Sequence, residues 1–468
     1  MKRFLVVLLS LGLVMAFSMS AFAVTPDFTG QYYVRGNYYS NPSLLQANGG
    51  NNTSFSDVDQ RLRTFFRLKI AEGLTLTTRM EALETMWGRD QYPTRGLADV
   101  TSAKAMRDYN QANLSFEQVW VNFKTGIGTF DVGYKTGTQY GWGTDFLNAP
   151  GTAPGIVWTN TFGGFEVLAG WNKTGKGDFT SSKTWNPAVQ TGTKSAAPLY
   201  SESDADKDYY NLGVKSKFKG GDAGLLVTNF RYADKSSGAA GVKTDAYVLD
   251  PYMRMKLGPV DFETEGYYGF GKVKAEDGST ASDSDYKMWG IYANAKYNMG
   301  PAYVGGKFVY MSGSDPKTTD HGMISEFSYS SNSDLWGTVT PTILFGYGYH
   351  GAGLADGIVP TAANDLRGGK MDNTTLATLY GGYAVTKKLD TDVRVTYAKA
   401  NEDGAATGWQ SKDYGTELDA RVSYKIYDKL TYNVGAAYLW TGDYFKGTSP
   451  TAKVDNVYYV SHWIDLRF

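Results

Sequence analysis

Apolar and polar residues alternate along most of this chain, in short runs joined two by two through very tight turns. In RLRTFFRLKIAEGLTLTTRMEA (61–82) the direction reverses at Ala71-Glu72-Gly73, and in QVWVNFKTGIGTFDVGYK (118–135) at Gly126-Ile127-Gly128. Successive side chains of a strand point to opposite faces, so a period of two gives each run one apolar and one polar face. As a helix the same residues would scatter charge among the apolar positions and leave no stripe. Further hairpins are predicted at Gly163-Gly164, Gly220-Gly221-Asp222, Gly258-Pro259, Gly300-Pro301, Lys387-Lys388 and Asp428-Lys429, all with tight-turn chemistry.

Loop lengths are asymmetric. One set of connections is a few residues long, whereas the other includes 89–114, 174–206 and 314–374, rich in Gly, Ser, Asp and Asn. Short turns at one end and long loops at the other are the pattern of membrane-spanning barrels. One strand at 28–39, eight hairpins and a closing strand at 456–468 predict an all-β, antiparallel up-and-down transmembrane barrel of about 18 strands, within roughly 16–20. The stretch 318–374 reads either as one long loop or as a loop holding another strand pair. A wall of this width leaves an aqueous channel instead of a packed interior.

Composition fits this reading. A mean hydropathy of −0.36 is what alternation produces, because each strand averages to neutral. Residues 1–23 are a separate unit. Lys2 and Arg3 precede an apolar run from Phe4 to Phe17, and Ala21-Phe22-Ala23 is a small-x-small cleavage site, so a signal peptide removed after Ala23 is expected, leaving 24–468 as the barrel. No later stretch is long and apolar enough for a transmembrane helix. Loss of Lys2 and Arg3 takes the formal charge from −1 to −3, and nothing points to a nucleic-acid partner. The absence of Cys excludes disulfides, thiolate metal sites and covalent c-type haem. No cofactor is expected.

The C-terminal run VYYVSHWIDLRF (457–468) alternates to the last residue, Phe468. With the signal peptide, the hairpins and the loop asymmetry, it resembles the Gram-negative outer-membrane porins over the whole of 24–468. FEQVWVNFKTGIGTFDVGYKTGTQYGWGTDF (116–146) is most similar to porins of anaerobic metal- and sulfate-reducing bacteria. The resemblance implies an outer-membrane location in contact with membrane lipid. It implies assembly by the barrel insertion machinery, with the closing strand and Phe468 as the signal. A homotrimer is among the assemblies it allows.

Arg61, Arg63, Arg67 and Lys69 share one parity of the second strand, while Leu62, Thr64, Phe66, Leu68 and Ile70 share the other. Arginine against lipid costs about 2–4 kcal/mol near the midplane, so the charged parity is expected to face the lumen. Arg79 on the paired strand is expected to extend this basic ladder. Asp261, Glu263 and Glu265 form an acidic patch by the same test, with Arg254 and Lys256 opposite on the hairpin partner. The faces give roughly 18 inward bases and roughly 11 inward acids, which favours anions mildly. By resemblance, 137–155 (GTQYGWGTDFLNAPGTAPG) is the candidate constriction loop, with Tyr140, Trp142 and Phe146 as anchors and Asp145 facing the ladder. Aromatics near strand ends, Tyr297, Tyr310, Trp440 and Trp463, suit an interfacial girdle.

Other signals carry no chemistry. His321, His350 and His462 have no metal-ligand spacing, and no hydrolytic triad stands out, so an enzyme is not expected. Asp204, Asp206 and Asp208 have calcium-loop spacing, but Tyr209 stands where that loop needs Gly. The expected function is passive diffusion of ions and small hydrophilic solutes. Two alternatives stay open: a channel specific for phosphate or another oxyanion, using the Arg61–Arg67 track, and a barrel sheath around an electron-carrying cytochrome.

Overall fold

The computed structural model describes residues 25–40, 54–87, 114–136, 143–144, 146–147, 152–175, 207–234, 242–275, 282–313, 343–344, 373–402 and 410–468. Residues 1–24, with the expected signal peptide, lie outside them. Eighteen strands form one antiparallel sheet closed on itself. In chain order they are β1 (Thr25–Ser40), β2 (Ser54–Ala71), β3 (Leu74–Met86), β4 (Leu114–Thr125), β5 (Gly128–Thr136), β6 (Thr152–Phe162), β7 (Phe165–Gly175), β8 (Lys207–Phe218) and β9 (Gly221–Asp234). The second half continues with β10 (Val242–Leu257), β11 (Val260–Ala275), β12 (Ser284–Met299), β13 (Ala302–Met311), β14 (Thr374–Ala384), β15 (Leu389–Ala400), β16 (Asp413–Tyr427), β17 (Leu430–Thr441) and β18 (Val457–Arg467). Each strand pairs with the next, and β18 returns to pair with β1 from Gln31↔Arg467 to Tyr39↔Tyr459. Closure leaves no open edge, as a sheet surrounded by lipid requires.

The hairpins turn where the sequence places them. One is displaced by a residue: the reversal falls at Lys219-Gly220, and Asp222 is already in β9. At Gly258-Pro259 and Gly300-Pro301 the first turn residue has φ of +60° and +66°. Glycine reaches that region without strain and proline then fixes the second position, which matches the twist of the flanking strands. Both described ends of the sheet, the start of β1 and the end of β18, lie on the short-turn side. The last strand closes tightly: the Gly30 N–H donates to the Phe468 carbonyl at 2.8 Å, the Phe468 N–H donates to the Gly30 carbonyl at 3.0 Å, and the Phe468 ring lies 5.6 Å from Phe28.

The outward parity carries Val119, Leu212, Val304, Leu379, Val395 and Val434, all exposed. No helix among the described residues is long and apolar enough to cross a membrane, so the strands supply the apolar surface. Leu212→Arg on the outward face of β8 is expected to cost about 2–4 kcal/mol and to lower the urea midpoint of folding into lipid vesicles. Thr431→Arg on the inward face is expected to leave that midpoint nearly unchanged.

The inward parity is not polar throughout. Towards the long loops it is apolar, with Phe230, Val248, Tyr267, Met288, Tyr292, Val309, Leu376 and Leu439 buried in one cluster. Three non-strand segments cover that surface from inside: Phe146-Leu147, Ile343-Leu344, and a single 3-10 turn at Asp443–Lys446 that buries Tyr444 and Phe445. That apolar layer is packed away beneath these segments, and the open cavity of the lumen lies nearer the short turns. Trp463 belongs to this interior. It sits on the inward parity of β18 and is 4% exposed, so it takes no part in an outer aromatic girdle. Tyr297 and Trp440 do face outward, 45% and 47% exposed.

Candidate pore lumen

The arginines of β2 and β3 do not stand alone. Arg61 approaches the Glu81 carboxylate at 3.7 Å, and Arg63 pairs with the same carboxylate. Arg79 forms an ion pair with Glu117 at 2.6 Å, and Arg63 reaches Glu117 at 3.7 Å. Next to them Arg35 of β1 holds Asp59 at 2.9 Å, and the Arg35 and Arg61 guanidiniums lie 5.8 and 5.2 Å from the Tyr33 ring. Nearer the short turns Arg67 pairs with Asp27 at 3.2 Å, and Lys69 is exposed. The ladder runs down the wall with its charge largely compensated at each rung.

Glu117 is the member that alternation alone misses. Phe116 and Val119 face outward, and a regular strand would send Glu117 the same way as Val119. The β3–β4 register shifts between Arg79 and Met80, so that β4 holds an extra residue at Glu117. A bulge of this kind re-aims one side chain, and here it turns a carboxylate towards two guanidiniums.

The three acidic residues of β11 do three different things. Asp261 accepts from the Asn298 amide at 2.7 Å and lies 3.7 Å from Lys256. Glu263 accepts from the Tyr292 hydroxyl and from Asn294 at 3.1 Å. Its register partner Arg254 turns instead to Asp222, at 3.0 Å. Glu265, 1% exposed, accepts from the backbone N–H of Thr144 at 3.0 Å and from the Thr144 hydroxyl.

Glu265 thus fixes part of the candidate constriction loop to the inner wall. Phe146, fully buried, stacks on Tyr292 at 5.4 Å and on Tyr267 at 5.9 Å. Gly143 lies so close to the Tyr252 ring that a Cβ would fall 1.9 Å from a ring carbon, so only glycine fits there. Tyr140, Trp142 and Asp145 lie outside the described residues. A second segment is held by the same device. Glu417 of β16, fully buried, accepts the backbone N–H of Ile343 at 2.6 Å and that of Leu344 at 2.8 Å. Ile343 and Leu344 belong to the stretch 318–374 that the sequence leaves ambiguous, and the rest of it up to residue 372 is outside the described residues. Two bonds to one side-chain carboxyl group fix the direction of each segment.

Beyond these segments lies a lumen cavity of about 870 Å³. Its bases are Lys296, Lys307, Arg394, Arg421 and Arg467, and its acids Glu263, Asp390, Asp392 and Asp465. Arg421 donates to Asp392 at 2.7 Å, Arg394 stands 3.8 Å from Asp419, and Arg467 pairs with Asp465 at 3.0 Å. Lys296 and Lys307 lie over the rings of Tyr303 and Tyr380, at 4.3 and 5.0 Å. No cluster of metal-ligating side chains occurs among the described residues. Asp208 accepts from the Trp171 indole at 2.9 Å, while Asp204 and Asp206 are outside the described residues.

No protein-family model matches the chain, and no curated protein does. Solved structures match it in fold. OpdK of Pseudomonas aeruginosa aligns with a TM-score of 0.50 at 10% identity, covering 94% of this chain and 99% of that one. OccK9 (OpdG) of the same organism gives 0.51 at 13% identity over 94% and 99%, and OccAB3 of Acinetobacter baumannii 0.50 at 12% over 94% and 100%. OpdK is described as an outer-membrane protein. With strands that follow one another around a closed ring of eighteen, the chain has the fold of the outer-membrane porin barrels.

Proposed function

We propose that this chain forms a water-filled outer-membrane channel for passive diffusion of ions and small hydrophilic solutes, with a mild preference for anions. The cavity of about 870 Å³ carries the reading. Its charged side chains of both signs are interleaved along neighbouring strands from β11 to β18, and it lies on the short-turn side of the inward segments. Paired charges hydrate a pore without fixing its selectivity strongly, and the cavity holds one more base than acid. Wall charge of that size favours anions weakly.

A second reading has its own observation. Arg394 and Arg421 share the cavity with Tyr303 and Tyr380, a setting suited to a small carboxylate or phosphate. OpdK, similar in fold, has been solved with vanillate. A specific channel saturates as its solute rises, whereas a diffusion channel stays linear. Liposome swelling separates the two. Vesicles holding the mature protein are expected to swell in small neutral sugars at rates that fall with sugar size. Swelling in a single carboxylate and in no sugar would favour the specific channel. No swelling in any solute from correctly folded barrels would contradict both.

A further inference from the structure

At the short-turn end of the barrel the pairing of wall charges stops. Lys69, Lys124, Lys217 and Lys425 stand near the ends of their strands on the inward parity, and Lys219, Lys387, Lys388 and Lys429 lie in the turns. All eight are exposed, and none has an ion pair or ring contact among the described residues. Most acids at this end are already taken. Asp222, the register partner of Lys217, pairs with Arg254 at 3.0 Å, Asp27 pairs with Arg67 at 3.2 Å, and Asp261 lies 3.7 Å from Lys256. Glu72, Asp390 and Asp428 remain, too few to balance the lysines. The backbone under these lysines is fixed. The Lys124 N–H donates to the Gly73 carbonyl and the Lys425 N–H to the Lys388 carbonyl, both at 2.8 Å. The Thr386 hydroxyl accepts the N–H groups of Lys388 and Leu389, both at 3.0 Å, and braces the turn that carries Lys387 and Lys388.

Eighteen tilted strands about 4.8 Å apart make a ring roughly 35 Å across, near the width of a small folded domain. Like charges gathered on one rim repel one another and cost stability. The barrel itself gains nothing from them, since its turns close through glycine, proline and backbone hydrogen bonds. Inward parity and turn positions aim the lysines at the axis and at the space beyond the mouth, away from lipid. They form three arcs: Lys69 and Lys124 on β2–β4, Lys217 and Lys219 at β8, and Lys387, Lys388, Lys425 and Lys429 over β14–β17. Cations spread around a rigid ring complement a partner face that carries several carboxylates at fixed spacing. We propose that the short-turn rim docks an acidic protein domain over the mouth of the channel, with the β14–β17 arc as its main contact. The docking face rests on the outer-membrane reading above, which puts the short turns in the periplasm.

Fluorescent poly-L-glutamate serves as the acidic probe. Its binding to the mature protein in detergent micelles is followed by anisotropy, and the current through the same preparation in a planar bilayer is recorded with the polymer added to each side in turn. Binding is expected, and it is expected to weaken as salt rises. The combined variant Lys387→Gln, Lys388→Gln, Lys425→Gln and Lys429→Gln is expected to bind about tenfold more weakly or worse, and Lys274→Gln with Lys399→Gln at the long-loop end to bind as the unaltered chain does. Block of the current is expected from one side only and is lost in the fourfold variant. All four positions are exposed, so the variant is expected to fold, and heat-modifiable migration checks that it does. Binding untouched by the fourfold substitution, or block of equal strength from both sides, overturns the docking face. Displacement of the polymer by soluble peptidoglycan fragments or by phosphatidylglycerol at equal anionic charge would assign the ring to the cell wall or to lipid, and overturns it too. Ohmic steps without any binding refute this inference alone, whereas binding without steps upholds the docking face and refutes the open channel.

Discussion

Replacing Glu265 and Glu417 together by alanine is expected to raise the single-channel conductance roughly twofold and to make the open level noisy. The effect is large because each carboxylate is the acceptor for two donors of an inward segment. Glu265 takes the N–H and hydroxyl of Thr144, and Glu417 takes the N–H groups of Ile343 and Leu344. Each donor left buried without a partner costs about 1–3 kcal/mol, enough to shift both segments towards undocked states. Phe146 would leave its stack on Tyr267 and Tyr292, exposing an apolar wall to water. The glutamine variants retain a carbonyl oxygen and are expected to fall between wild type and alanine. Planar-bilayer recordings check the order. Unchanged conductance in the double alanine variant would mean that these segments do not set the narrow part of the pore.

Glu81→Gln combined with Glu117→Gln is the second large effect. Arg61, Arg63 and Arg79 share these two carboxylates, and Glu81 and Arg61 are 4% and 3% exposed. Breaking a buried pair by removing one partner leaves uncompensated charge, at a cost of about 3–5 kcal/mol. The double variant is expected to unfold at a clearly lower temperature on heat-modifiability gels. Because lumen charge then becomes more basic, its reversal potential in a KCl gradient is expected to move towards the chloride limit. Arg79→Gln should move it the other way. A variant that keeps wild-type stability and wild-type selectivity would show that the ladder is fully solvated and its pairs immaterial.

The barrel was legible because a period of two and a lipid environment are both strict. An arginine such as Arg63 or Arg67 in the wall has one affordable direction, and Gly258-Pro259 or Gly300-Pro301 admits little but a hairpin reversal. What the period could not show is where it is interrupted. The bulge at Glu117 reverses one residue, and no local signal distinguishes it from a regular strand. The tethering of inward segments by Glu265 and Glu417 joins residues 121 and 73–74 positions apart, beyond any pattern along the chain. One signal was present and could have been used. Phe230, Val248, Met288, Val309, Leu376 and Leu439 are apolar on the parity that should face water. Residues of that kind on the long-loop half of so many strands imply a cover from inside, which is what Phe146, Ile343 and Phe445 provide. Trp463 lies outside that layer, in the wall of the lumen cavity: an aromatic near a strand end is a girdle residue only on the outward parity.

The central claim is an open, weakly anion-preferring channel. Planar-bilayer recording of the purified mature protein with a KCl gradient across the membrane tests it most directly. Steady, ohmic steps that grow linearly with salt, with a reversal potential slightly on the chloride side, are the expected result. A folded, heat-modifiable barrel that gives no steps, or gives them with a reversal potential on the potassium side, would contradict it.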